Sequence, residues 1–133
     1  LEKVGRLKHG FHSDSVYRGR VAYLKGPRMK GKVSIFNSGK MISVGTKSEE
    51  DALNDLRYAM ETLVDAGLVK PVSIRMKIRN IVAVGDFERV IDLDEIASKF
   101  EKVIYEPEQF PGAILRSAEL PRITIYYLHQ VRQ

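Results

Sequence analysis

The side chains in this sequence that could do chemistry are cations rather than nucleophiles. Residues 1–40 hold ten Lys and Arg against two acids, Glu2 and Asp14, a balance of +8, while residues 41–133 hold twelve against fifteen. A basic block of this kind draws polyanions, because each cation that neutralises a phosphate releases a condensed counterion. The plainer alternative is a solvated basic face. Lys25, Arg28, Lys30 and Lys32 crowd one short stretch, suited to phosphates, to an acidic partner surface or simply to solubility. His9, His12 and His129 lack metal-ligand spacing and an acidic partner set, so no metal site is expected. The absence of cysteine excludes a thiolate nucleophile, a zinc–thiolate site and a disulfide framework. No Ser/His/Asp order, phosphate-cradling P-loop or Gly-x-Gly-x-x-Gly occurs. The expectation is a protein that binds and does not catalyse, with no cofactor.

The elements that must position these cations are legible in the periodicity. A chain of 133 residues suits one compact domain and needs neither disulfide nor metal to fold. No apolar run reaches 18 residues and no signal-peptide pattern opens the chain, so a soluble, unexported protein without a membrane partner is expected. Ser48-Glu49-Glu50-Asp51 reads as a capping box, followed by Ala52, Leu53, Leu56, Ala59, Met60, Leu63 and Val64 at helical spacing, with Gly67 as the stop. That predicts a helix over about 49–66. Asp92-x-x-Glu95 opens a shorter helix with Leu93, Ile96, Ala97 and Phe100 on its buried face. Val72–Val84 begins with the alternation of a half-buried strand. Residues 33–36, 40–46, 112–117 and 122–128 are short β-branched or aromatic runs punctuated by Gly and Pro. The fold class is therefore α+β with antiparallel hairpins.

The chain also repeats itself. Leu1-Glu2-Lys3-Val4 resembles Leu93-Asp94-Glu95-Ile96, Tyr17-Arg18-Gly19 resembles Phe110-Pro111-Gly112, and Pro27-Arg28 resembles Pro121-Arg122. The strand ending at Phe36 matches the one ending at Leu128. Matches in order at nearly constant spacing point to duplication.

Two stretches carry a family resemblance. Arg79-Asn80-Ile81-Val82 is followed by Tyr105-Glu106-Pro107-Glu108-Gln109-Phe110-Pro111-Gly112, with Arg116 and Pro121-Arg122 beyond. Ile35-Phe36-Asn37-Ser38-Gly39-Lys40-Met41 leads into Gly45-Thr46-Lys47-Ser48-Glu49-Glu50. Over residues 33–125 they resemble the TATA-box-binding family, in its archaeal style more than its eukaryotic one. The resemblance implies a saddle-shaped curved antiparallel sheet built from two quasi-repeats with helices on the convex face. The repeats would be residues 1–69, lacking a first strand, and 70–133, lacking a last strand and helix, together one domain. It implies a transcription initiation factor that binds and bends A·T-rich double-stranded DNA through the minor groove. The family is itself a leading example of such bending, so the bend comes with the family.

Position by position, the resemblance assigns Phe36, Phe110, Tyr17 and Leu128 to wedges that prise open base steps. Asn80 would bond base acceptors, Ile42 and Val82 would lie on the groove floor, and Ser38, Lys40 and Arg116 would hold phosphates. Val44 stands where the family has a threonine, and Ser34 and Tyr126 where it has leucines, all on the DNA-facing side. Glu106 and Glu108 would dock an IIB-type initiation factor and, with it, the RNA polymerase machinery. Side-chain parity agrees with a two-faced sheet, since Val33 and Ile35 oppose Ser34 and Phe36. Localisation would be the cytoplasm or nucleoid in an archaeon and the nucleus in a eukaryote. Two alternatives stay open: an interaction module that regulates initiation without bending DNA, or a substrate-grip domain of a nuclease or glycosylase. The incomplete second repeat is expected to mean either a fragment or a homodimer that completes the fold, because an unfilled strand edge invites pairing.

Overall fold

The computed structural model describes residues 1–128, in two compact units that divide between Ile81 and Val82. His129 lies outside the described residues.

The first unit carries α1 (Glu2–Gly5), β1 (Gly10–His12), β2 (Val21–Leu24), β3 (Lys32–Phe36), β4 (Met41–Val44) and α2 (Glu49–Asp65). Its strands form one antiparallel sheet in chain order. The β3–β4 reversal is closed by Phe36 N–H to Lys40 O at 3.0 Å and Gly39 N–H to Phe36 O at 2.9 Å. Gly39 adopts φ +81°, a conformation a side chain resists. The predicted long helix is present: Ser48 Oγ accepts the Asp51 N–H at 3.0 Å. This satisfies one of the donors a helix start leaves open. Beyond Asp65, Gly67 turns left-handed at φ +70° and Leu68 N–H returns to Leu63 O at 2.9 Å, closing the helix. Leu56, Ala59 and Leu63 of α2 pack with Val4 of α1, Ala22 and Leu24 of β2, and Val33 and Ile35 of β3. Both helices thus cover one face of the sheet.

The second unit holds α3 (Leu93–Lys99), β5 (Val103–Tyr105), β6 (Gly112–Leu115) and β7 (Ile125–Leu128), a three-stranded antiparallel sheet in chain order. Asp92 caps α3 by accepting from Asp94 N–H at 2.9 Å and Glu95 N–H at 3.2 Å. Leu93, Ala113 and Leu115 are buried. Phe100, expected on the helix's buried face, instead sits past the last turn in extended backbone and is exposed.

Val72–Val84 is not a strand. Ile74 and Met76 do turn inward against the first unit's core, as the alternation predicts, but among the described residues no ladder pairs this segment. Periodicity reports which side chains are buried; a strand also needs a partner for its N–H and C=O groups. Residues 77–90 are exposed, so water is available to those groups instead.

Helix, strand, strand, strand recurs in the same order in both units, and the ladders correspond. Phe11 opposes Tyr23 as Ile104 opposes Ile114, and Val21 opposes Phe36 as Gly112 opposes Leu128. The burial pattern of β1 matches that of β5, and that of β2 matches that of β6. This register corrects one sequence match. Gly112 occupies the place of Val21, so Phe110, two residues earlier, corresponds to Gly19 and not to Tyr17.

Candidate nucleic-acid interface

Each sheet has a helix-backed face and an open face. On the first sheet the open face is a grid fixed by the register. One row across all four strands reads Phe11, Tyr23, Ser34, Ile42. A second row, toward one end, contains Lys32 opposite Val44. A third, toward the other end, places Phe36 opposite Val21. Phe11, Ile42 and Val44 are exposed, while Tyr23, Ser34 and Phe36 are half-buried. Phe11 stacks on Tyr23 with ring centroids 6.2 Å apart.

The second sheet repeats the middle row as Ile104, Ile114, Tyr126. Beyond it, Leu128 opposes Gly112, and Phe110 meets Tyr126 edge-on at 5.8 Å between centroids. Gly112 is required by this crowding. A Cβ there would come within 2.7 Å of Leu128 Cδ2 and 2.9 Å of the Phe110 ring. Phe110, Tyr126 and Leu128 are therefore one cluster, and Leu128 and Tyr126 are more than half exposed. Neither Phe36 nor Phe110 is buried under a helix; both are half-buried on the open side.

The remaining sequence candidates fall in different settings. Ser38 and Lys40 are exposed at the tip of the β3–β4 hairpin, where Ser38 Oγ accepts the Lys40 N–H at 3.4 Å. Arg116 follows β6 and is exposed, its N–H bonded to Lys102 O at 3.2 Å. Asn80 and Val82 are exposed in the unladdered segment, Val82 at 79%. Tyr17 is 74% exposed in a 3-10 turn with φ +47°, four residues short of the position opposite Phe36. The ladder therefore does not place Tyr17 as the counterpart of Phe110. Glu106 and Glu108 are exposed in a turn where Glu106 O accepts the N–H groups of Gln109 at 2.9 Å and Phe110 at 3.0 Å. That turn fixes the approach to Phe110.

Phe11 and Tyr23 on the first sheet and Ile104 and Ile114 on the second were not singled out for DNA contact by the sequence, and Lys32 was not singled out as a specific contact. Lys32 Nζ lies 4.4 Å from the Tyr23 ring centroid. Across the pair, β3 residue 32 and β2 residue 23 are diagonal neighbours of the Tyr23–Ser34 pair, which is why the two can meet. The signal available was parity: Lys32, Ser34 and Phe36 share a face. The loop before Lys32 is anchored by buried Asp55 of α2, whose carboxylate accepts Lys30 N–H at 3.0 Å and Gly31 N–H at 2.6 Å. Lys25 Nζ donates to Gly31 O at 2.7 Å and Lys30 O at 3.2 Å. The basic hairpin is thus an ordered element. Among the described residues no helix is long and apolar enough to cross a membrane.

Comparison with known proteins agrees with this geometry. The family model "Transcription factor TFIID (or TATA-binding protein, TBP)" matches residues 75–127. The TATA-box-binding protein of Cenarchaeum symbiosum is 38% identical over 118 residues, covering 89% of this chain and 65% of that protein. That of Pyrobaculum neutrophilum is 37% identical over 126 residues, covering 94% and 62%. The chain therefore spans just under two thirds of the length of these relatives. The solved structure of Methanococcus jannaschii TBP matches with a TM-score of 0.70 at 30% identity, covering 96% of this chain and 71% of that one.

Proposed function

The chain belongs to the TATA-box-binding protein family, and on that premise we propose that it is a transcription initiation factor that binds and bends A·T-rich duplex DNA. The open, apolar face of each sheet, with Phe36 and Phe110 left outside the helix-covered cores, is the observation that carries this reading. The minor groove of A·T pairs offers few donors, so a nearly dry surface such as Ile42, Val44, Ile114 and Tyr126 suits its floor. Ser38, Lys40 and Arg116 hold phosphates at the rim, and Phe36, with the Phe110–Leu128 cluster, supplies wedges. Asn80 and Val82 complete the groove contacts once their segment is ordered against DNA. The two quasi-repeats, 1–69 and 70–133, act as one DNA-binding domain, supported by the equivalent ladders of the two units. Glu106 and Glu108, exposed beside Phe110, meet a IIB-type initiation factor that recruits the polymerase.

Gel-shift and fluorescence-transfer bending on matched A·T-rich and G·C-rich duplexes test the proposal. A salt-sensitive preference for the A·T duplex together with a bend is the expected result. Equal, weak binding to both at physiological salt would overturn it.

A further inference from the structure

The molecule's cations are unevenly placed. Lys and Arg number sixteen against eight acids in the first unit, and six against nine in the second. On the open face of the first sheet they gather at one end. Lys25 donates its N–H to His9 O at 3.1 Å, and one step beyond the Leu24–Val33 pair Lys25 lies beside Lys32, which opposes Val44. The end row is therefore His9, Lys25, Lys32, Val44, adjoining the stacked rings of Phe11 and Tyr23. In the second sheet the corresponding end row holds Lys102 and Arg116, joined by Arg116 N–H to Lys102 O. Both open faces thus have a cationic end.

The two lysines of the first sheet are not equivalent. Lys25 has its ammonium on two main-chain carbonyls, those of Lys30 and Gly31. Lys32 has no ion pair among the described residues, where the one ion pair is Lys99–Glu95 on α3. Its ammonium lies over the Tyr23 ring, and the loop leading to it is held by Asp55. An exposed cation on a strand, without an ion pair among the described residues, at the rim of an apolar face and with Val44 opposite, fits a phosphate.

We propose that Lys32 holds a backbone phosphate of the bound duplex at the cationic end of the first open face, with Tyr23 and Phe11 walling the adjoining sugar. This rests on the DNA-binding reading above and extends it to a contact that the family resemblance does not assign. The phosphate is taken by charge and the sugar by apolar surface, so the contact contributes affinity without base selectivity.

The test is the salt dependence of duplex binding by the 133-residue chain and its Lys32→Ala, Lys32→Arg and Arg57→Ala variants. Arg57 is exposed on α2, which packs against the covered face, and serves as the matched loss of charge. Lys32→Ala is expected to lower the slope of log K against log salt by about one and affinity by about five- to tenfold near 0.15 M salt. Lys32→Arg should restore the slope, Arg57→Ala should leave it alone, and the A·T preference should be unchanged in all three. A parent that binds A·T duplex while Lys32→Ala and Arg57→Ala show its slope overturns the phosphate contact alone. A parent without salt-sensitive duplex binding overturns the underlying reading instead. Far-ultraviolet circular dichroism of Lys32→Arg and Lys32→Ala separates either result from misfolding.

Discussion

The Asp55 carboxylate accepts the main-chain N–H of Gly31 at 2.6 Å, tying the second turn of α2 to the start of β3 across 24 residues of chain. Its other oxygen accepts Lys30 N–H at 3.0 Å, and the side chain is 2% exposed. A buried carboxylate is costly unless its lone pairs are met, and here two main-chain donors meet them. The basic hairpin is held from inside the molecule by an acid.

Asp55→Ala should therefore destabilise the first unit by about 2–4 kcal/mol, since two N–H groups lose a charged acceptor in a poorly hydrated place. Urea unfolding followed by circular dichroism measures this. Asp55→Asn, which keeps one carbonyl acceptor, should lose less.

Gly31 admits no side chain. A Cβ there would lie 2.3 Å from Val44 O, a main-chain atom of the neighbouring strand. Gly31→Ala should cost about 1–3 kcal/mol, because backbone and not a flexible side chain must move. A lowered thermal midpoint with weakened amide-exchange protection in β3 and β4 is the expected signature.

The two faces of the first sheet should separate stability from binding. Leu63 is in the core, whereas Ile42 on the open face is half exposed. Leu63→Ala should cost about 2–5 kcal/mol of folding stability. Ile42→Ala should cost well under half of that, and its loss should appear in affinity for A·T-rich duplex. Paired denaturant titrations and gel shifts decide between them.

Phe36→Ala and Phe110→Ala should each reduce the bend seen by fluorescence transfer and weaken A·T-duplex binding about tenfold, with little loss of fold. Tyr17→Ala should have a smaller effect, because the ladder puts Gly19, not Tyr17, in the place of Phe110. A Tyr17→Ala loss equal to that of Phe110→Ala would show that DNA remodels the 3-10 turn around residue 17.

Sequence alone determined what depends on near neighbours. The α2 cap at Ser48, its stop at Gly67, the Ser38–Gly39 reversal and the parity of β3 each involve groups a few residues apart, so residue types and spacing suffice. The repeat was legible on a different ground, as order and spacing kept along the chain. β1, β2 and β5 were not singled out from the sequence; the strands they pair with identify them. Tertiary structure decided the pairings: that Val72–Val84 finds no ladder among the described residues, that Val21 opposes Phe36, that Lys32 meets Tyr23, and that Asp55 reaches Gly31. Hydrogen bonds between distant segments depend on which edges and donors the folded chain brings within reach, and local pattern does not encode that choice.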